Sequence, residues 1–252
     1  MPVSSRLRER MPTTPTAPET IARTLGRAAD RCRFDPPVRH VYNPLVYAFE
    51  AHRQYLLRYC RREAEILLLG MNPGPFGMVQ TGVPFGEVNA VTDWLGIREG
   101  VASPKDQHAK RPIEGFECAR REISGQRLWG WAGDRFRTPD AFFRRFFIWN
   151  YCPLAFLEET GRNRTPDKLP RPEREPLFEA CDRALAKIVD YQQPKLVLGV
   201  GRFGEACARR VLRGNDIRIG HILHPSPASP AANRGWAEQV EKQLADLGIA
   251  LP

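Results

Sequence analysis

"EILLLGMNPGPFGMVQTGVPFGE", residues 65–87, decides how the rest of the chain is read. It opens with an apolar run from Ile66 to Leu69 that is too short for a helix and lacks the alternation of a half-exposed strand. Such a run suits a strand buried on both faces. The stretch beyond it is no ordinary turn. Residues 70–87 hold five glycines, three prolines and two phenylalanines, with a single charge at Glu87. A backbone so short of side chains and stiffened at three points suits the wall of a pocket for one flat, neutral ring, lined by main chain and by Phe85.

Three more apolar runs recur at wide intervals: "RRFFIWN" (144–150), "KLVLGV" (195–200) and "IRIGHILH" (217–224). Helical patterns separate them at 173–190, 202–213 and 233–247. Earlier helices are expected from about Glu19, through "ETIARTLGRAADRC" and "NPLVYAFEAHRQYLLRYCRREA". Short buried strands alternating with helices imply an α/β fold whose parallel sheet is covered on both faces. Asn72 lies just beyond the first run, Asn150 ends the second, Gly199 and Gly201 end the third, and His224 ends the fourth. Open parallel sheets bind ligands outside the carboxyl ends of their strands, so these residues are expected to converge on one composite site.

The sequence has 252 residues, 42% of them apolar, enough for one domain over residues 19–252. Residues 1–18 are rich in Pro, Thr and Arg without apolar periodicity and read as a disordered basic tail. No apolar run is long enough to cross a bilayer, so no membrane role is expected. The six cysteines are scattered without a CxxC pair, which suits buried reduced thiols better than a zinc ribbon or iron–sulfur cluster. Lys and Arg number 38 against 29 Asp and Glu, a net charge of +9 that suggests a polyanionic partner, nucleic acid first. Residues 101–138 break the alternation. There "REISGQRLWGWA" is expected to form a hairpin around Gly125, with Trp129 and Trp131 packing it onto the domain rather than stacking on bases.

"GVGRFG" (199–204) matches the dinucleotide-binding pattern G-x-G-x-x-G, but the next strand ends in "LHPSP" instead of an acidic residue for a ribose. Nicotinamide and flavin are therefore not expected. Exposed N–H groups at that helix start suit a DNA phosphate, and a tight turn with close helix–sheet packing is the plain alternative. Asn72 is held by Pro73, and His224 by "HPSPASP". No second His, Cys or carboxylate stands near either at ligand spacing, so no metal is expected. Asn150 offers one donor and one acceptor in a plane, which matches the edge of a nucleobase.

"GMNPGPFGMVQTGVPFGEV", "NYCPLAFL" and "HPSPASPAANRGW" resemble the three motifs of the single-strand-selective monofunctional branch of the uracil-DNA glycosylase superfamily, and the likeness runs from about Glu65 to about Leu247. The resemblance implies a three-layer α/β/α sandwich with a central four-stranded parallel sheet. It implies removal of uracil and some 5-substituted uracils, such as 5-hydroxymethyluracil, from single- and double-stranded DNA, without a cofactor. By the same resemblance Asn72 orients the attacking water and His224 stabilises the departing base. Phe85 stacks on the ring, Asn150 reads its edge, and Met71, Gly74 and Met78 complete the base pocket. DNA contacts are expected from Gly199, Gly201 and Arg202, and from Pro225, Ser226, Pro227, Ala228, Ser229, Asn233 and Arg234. The protein is expected to act as a monomer, at the nucleoid of a bacterial cytoplasm or in a eukaryotic nucleus.

An amide cannot act as a base at neutral pH, so Asn72 implies bond breaking ahead of water attack. Strand scission needs an amine nucleophile, and no Lys occurs in 70–100, 139–166 or 196–241. The family carries a basic residue at the tip of the wedge after "HPSP", where this chain has Ala228. A small wedge should contribute less to unstacking, which favours single-stranded or mismatched uracil unless Arg234 substitutes. A binding module that senses uracil without cutting is the second reading; the retained Asn72 and His224 argue against it.

Overall fold

The chain is described by a computed structural model over residues 16–252. From its amino end it forms α1 (Pro18–Asp30), β1 (Val38–Tyr42), α2 (Pro44–Tyr47), α3 (Phe49–Tyr59) and β2 (Ile66–Gly70). A one-turn α4 (Met78–Thr81) lies inside the glycine-rich stretch, and α5 (Ile123–Phe136) and α6 (Pro139–Phe143) come after a long connection. Next come β3 (Phe146–Asn150), β4 (Ala155–Glu158), β5 (Asn163–Arg164) and α7 (Arg171–Gln192). The chain closes with β6 (Leu196–Val200), α8 (Arg202–Val211), β7 (Arg218–Ile222) and α9 (Trp236–Asp246).

The four apolar runs are β2, β3, β6 and β7, and they form one parallel sheet in the order β3-β2-β6-β7. Every residue of β2, β3 and β6 is buried, as a sheet covered by helices on both faces requires. The α/β/α fold with a central four-stranded parallel sheet is thus the one expected. The chain leaves β2 toward β3 on one side and returns to β6 on the other. That reversal opens a crevice at the carboxyl ends of the strands.

Two parts of the chain differ from expectation. Residues 121–132 are no hairpin; they enter α5, whose buried Leu128, Trp129, Ala132 and Phe136 recur at helical spacing. Glu122 caps this helix by accepting from Ser124 N–H. Gly125 is the residue that misleads, because it marks a close approach and not a turn: a Cβ there would overlap the carbonyl oxygen of Phe85. Trp129 and Trp131 pack inward, at 2% and 4% exposure. The second difference is a small antiparallel sheet in the order β1-β4-β5. β4 and β5 sit between β3 and α7, a stretch for which the sequence pattern named no element.

All six cysteines are free thiols, with Cys32 half-buried and the rest buried. No helix among the described residues is long and apolar enough to cross a membrane. The segment expected to be a basic tail lies outside the described residues through residue 15, and its last member, Pro18, opens α1.

Candidate active site

A cleft of about 380 Å3 opens at the carboxyl edge of the sheet. Asn72, Phe85, Asn150 and His224 all line it, together with Met71, Gly74 and Met78. The residues named from the sequence for the chemistry and the base pocket therefore meet in one place. The loops after β2 and β7 and the last residue of β3 bring them there.

Asn72 is oriented by its own amide. Its Nδ2 donates to Leu154 O at 3.1 Å, which leaves Oδ1 as the atom free to accept a hydrogen bond. Asn150 is 6% exposed; its Nδ2 reaches only Met78 Sδ at 3.3 Å, and its Oδ1 is buried without a partner. A buried amide with so weak a donor contact and an unmet acceptor costs about 1–3 kcal/mol, which a ligand edge would recover. Gly70 makes room for this arrangement, since a Cβ there would overlap Asn150 Oδ1 and the Phe85 ring. Phe85 adopts a left-handed backbone, φ 53°, uncommon for a residue with a side chain. Trp129 Nε1 donates to its carbonyl at 3.0 Å and holds the strained turn.

His224 lies two residues beyond β7, and its ring centroid is 6.0 Å from that of Phe85. Ser226 N–H donates to His224 Nδ1 at 3.0 Å, so Nδ1 carries no proton in the neutral ring and Nε2–H is the donor. Burial pushes the imidazole pKa down to about 4. The ring is therefore neutral at physiological pH.

Several lining residues were not expected from the sequence. Glu122 and Ser124 line the cleft from the start of α5, Asn163 and Thr165 from β5 and the turn after it. Glu122 packs its carboxyl against Gly74 and Gly77, both of which would clash with it if they carried a Cβ. Burial raises its pKa. The signal for Glu122 was present, because an N-cap carboxylate announces a helix start; reading Gly125 as a turn hid it. Asn163 Nδ2 donates to Pro73 O at 3.2 Å, bracing the residue next to Asn72, while its Oδ1 is buried without a partner.

Residues 57–248 match the family model for the uracil DNA glycosylase superfamily. The chain belongs to the uracil-DNA glycosylase superfamily. Within it the chain falls in the single-strand-selective monofunctional branch. It is 49% identical over 227 residues to the rat single-strand selective monofunctional uracil-DNA glycosylase, covering 89% of this chain and 82% of that one. The mouse protein of that name is 48% identical over 89% of this chain and 81% of its own. The crystal structure of wild-type Pedobacter heparinus SMUG2 superposes with a TM-score of 0.63, covering 90% of this chain and 97% of that one; at 18% identity it supports the fold alone.

In this glycosylase fold the residues expected on DNA separate into two groups. Gly199 is buried inside β6, and its missing side chain is what lets α8 approach, since a Cβ would overlap Glu205 N; a DNA contact there is corrected to helix–sheet packing. Gly201 has φ 89° and lies against the His224 ring, and its N–H donates to Ile222 O, so that N–H is not available to a phosphate. Pro225 is buried, and its carbonyl accepts from Arg127 at 3.1 Å, a loop-building role in place of a DNA contact. Arg127 also donates to Asn233 Oδ1 at 2.8 Å, and Asn233 Nδ2 donates to Pro227 O at 2.9 Å. Ser226 and Ser229 turn hydroxyls onto Ala228 N and Ala232 N, while Ser226 and Pro227 also reach the cleft. Arg202, Ala228 and Arg234 are exposed.

Proposed function

We propose that this protein excises uracil, and some 5-substituted uracils such as 5-hydroxymethyluracil, from single- and double-stranded DNA, leaving an abasic site with the strand intact. The meeting of Asn72, Phe85, Asn150 and His224 around one cleft carries this reading. The base must leave the stack to enter that cleft. Phe85 then covers one face of the ring. Asn150 accepts from N3–H and donates to O4; cytosine reverses that pattern and leaves the buried amide mispaired.

As the glycosidic bond lengthens, negative charge gathers on the departing uracil. His224 Nε2–H donates to O2, and a donor placed this way in a dry site is worth about 2.7–4 kcal/mol. Water held by Asn72 Oδ1 bonds to C1′ as the glycosidic bond breaks; the proton it releases passes to the departing uracil anion, which is freed as the neutral base. No lysine lines the cleft among the described residues, so no amine waits to form a Schiff base with the abasic sugar. At the wall formed by Gly74 and Met78, Glu122 presents a carboxyl that suits a hydroxyl-bearing C5 substituent. The exposed tip at Ala228 lacks a basic wedge, which favours single-stranded and mismatched uracil over U·A pairs. We place the protein, as a monomer, wherever its cell keeps DNA: the bacterial nucleoid or the eukaryotic nucleus.

Alkaline cleavage of a uracil-containing oligonucleotide tests the reading. Wild type should generate alkali-labile sites without cutting the strand unaided. Asn72→Ala should lower the single-turnover rate by orders of magnitude while binding DNA nearly as well. Equal rates on U·A, U·G and single-stranded uracil would sink the wedge assignment and leave base excision standing.

A further inference from the structure

A second cleft, of about 450 Å3, adjoins the first across a single residue. Phe76 lines it, while its neighbours Pro75 and Gly77 line the base cleft. Three cations line this cleft, and two of them flank Phe76. The guanidinium carbons of Arg111 and Arg120 stand 5.2 Å and 5.0 Å from its ring centroid, and Lys110 shares the same wall. None of the three has a carboxylate within ion-pair distance among the described residues. Arg111 Nε is buried without an acceptor. Glu114, also on this wall, is the one opposing charge.

The two clefts are locked in register. Gln80, 1% exposed, donates from Nε2 to Pro75 O and to Pro112 O, each at 3.0 Å. Its Oε1 accepts from Glu114 N at 2.8 Å and Gly115 N at 3.1 Å. One buried amide therefore clasps the loop that walls the base cleft to the segment that carries the cations.

We propose that this basic–aromatic cleft binds the single-stranded DNA flank next to the flipped nucleotide, with phosphates on Lys110, Arg111 and Arg120 and an unpaired base against Phe76. An aromatic ring set among free cations is the arrangement that grips single strands without reading sequence. A duplex keeps its flanking bases stacked and offers none to Phe76. The cleft thus favours single strands on grounds separate from the wedge. The proposal rests on the base cleft taking a nucleotide from DNA.

Anisotropy titration of a labelled single-stranded oligonucleotide containing uracil, over a range of salt, tests it. The double variant Lys110→Gln/Arg120→Gln alters exposed side chains only. It should bind more weakly, with a log–log salt slope shallower by about 1.4, or about 0.7 for each lost phosphate contact. Arg183→Gln/Lys187→Gln removes equal charge from α7 beside α1 and should leave the slope as in wild type. Phe76→Leu should weaken single-strand binding by about 5- to 100-fold with the slope unchanged. An unchanged slope in the Lys110/Arg120 variant, or equal losses in both double variants, overturns the assignment. If wild type releases uracil and the slope still does not move, the second cleft alone is wrong. If wild type releases no uracil, the reading of the first cleft has failed.

Discussion

Each of the three carboxamides that line the base cleft, those of Asn72, Asn150 and Asn163, leaves its oxygen without a partner in the protein. Asn72 ties its nitrogen to Leu154 O and keeps its oxygen free. Asn150 keeps a buried acceptor unmet. Asn150→Asp should therefore lose uracil release, because a carboxylate cannot donate to O4, and the measurement is base release at saturating DNA. His224, held neutral by burial, gives a pH prediction whose sign is fixed. The active ring is the unprotonated one, so the acid limb of the single-turnover rate should fall near a pKa of about 4 and not near the free-imidazole value. A limb near neutrality would contradict the neutral ring assigned here. These residues were legible in the sequence because each ends a strand or begins the loop after one. Glu122 and Asn163 were not, since they enter from α5 and β5, elements that the strand–helix alternation does not announce.

At the scale of elements, α5 does most of the positioning. It presents Glu122 to the cleft, anchors Phe85 through Trp129, and clasps the loop after His224 through Arg127. Gly125→Ala should push the helix off the Phe85 carbonyl, costing about 1–3 kcal/mol in urea unfolding and reducing uracil release. Gly130 lies in the same helix with open space around it, so Gly130→Ala should instead stabilise by about 0.5–1 kcal/mol. Three strands of the parallel sheet, β2, β3 and β6, were readable because burial on both faces writes unbroken apolar runs. The antiparallel sheet was not: β1 spans "VRHVY", mixes buried and exposed positions, and has a register shift between Val38 and His40. Two of its strands are short, and β5 is a two-residue pairing that no periodicity could reveal.

For the molecule as a whole, two imidazoles, His52 in the core and His224 half-buried at the cleft, couple stability to acidity. His52, 1% exposed and bonded through Nδ1 to Gly82 O at 2.8 Å, shares with His224 a pKa lowered to about 4 by burial. Unfolding restores values of about 6.5, so the unfolded chain binds protons that the folded one refuses. The contribution of both rings is thus complete above about pH 6.5 and is lost as pH falls toward about 4. Thermal midpoints should decline across that window, and a His52→Gln variant should flatten the decline. The bond from Ser226 N–H to His224 Nδ1 extends this to observation in solution. With the imidazole labelled in nitrogen-15, its two resonances should stay widely separated while the loop is folded, one bare and one protonated. They should draw together when the loop opens and the tautomers exchange. The ring would then give a spectroscopic readout of how often the free enzyme uncovers its cleft.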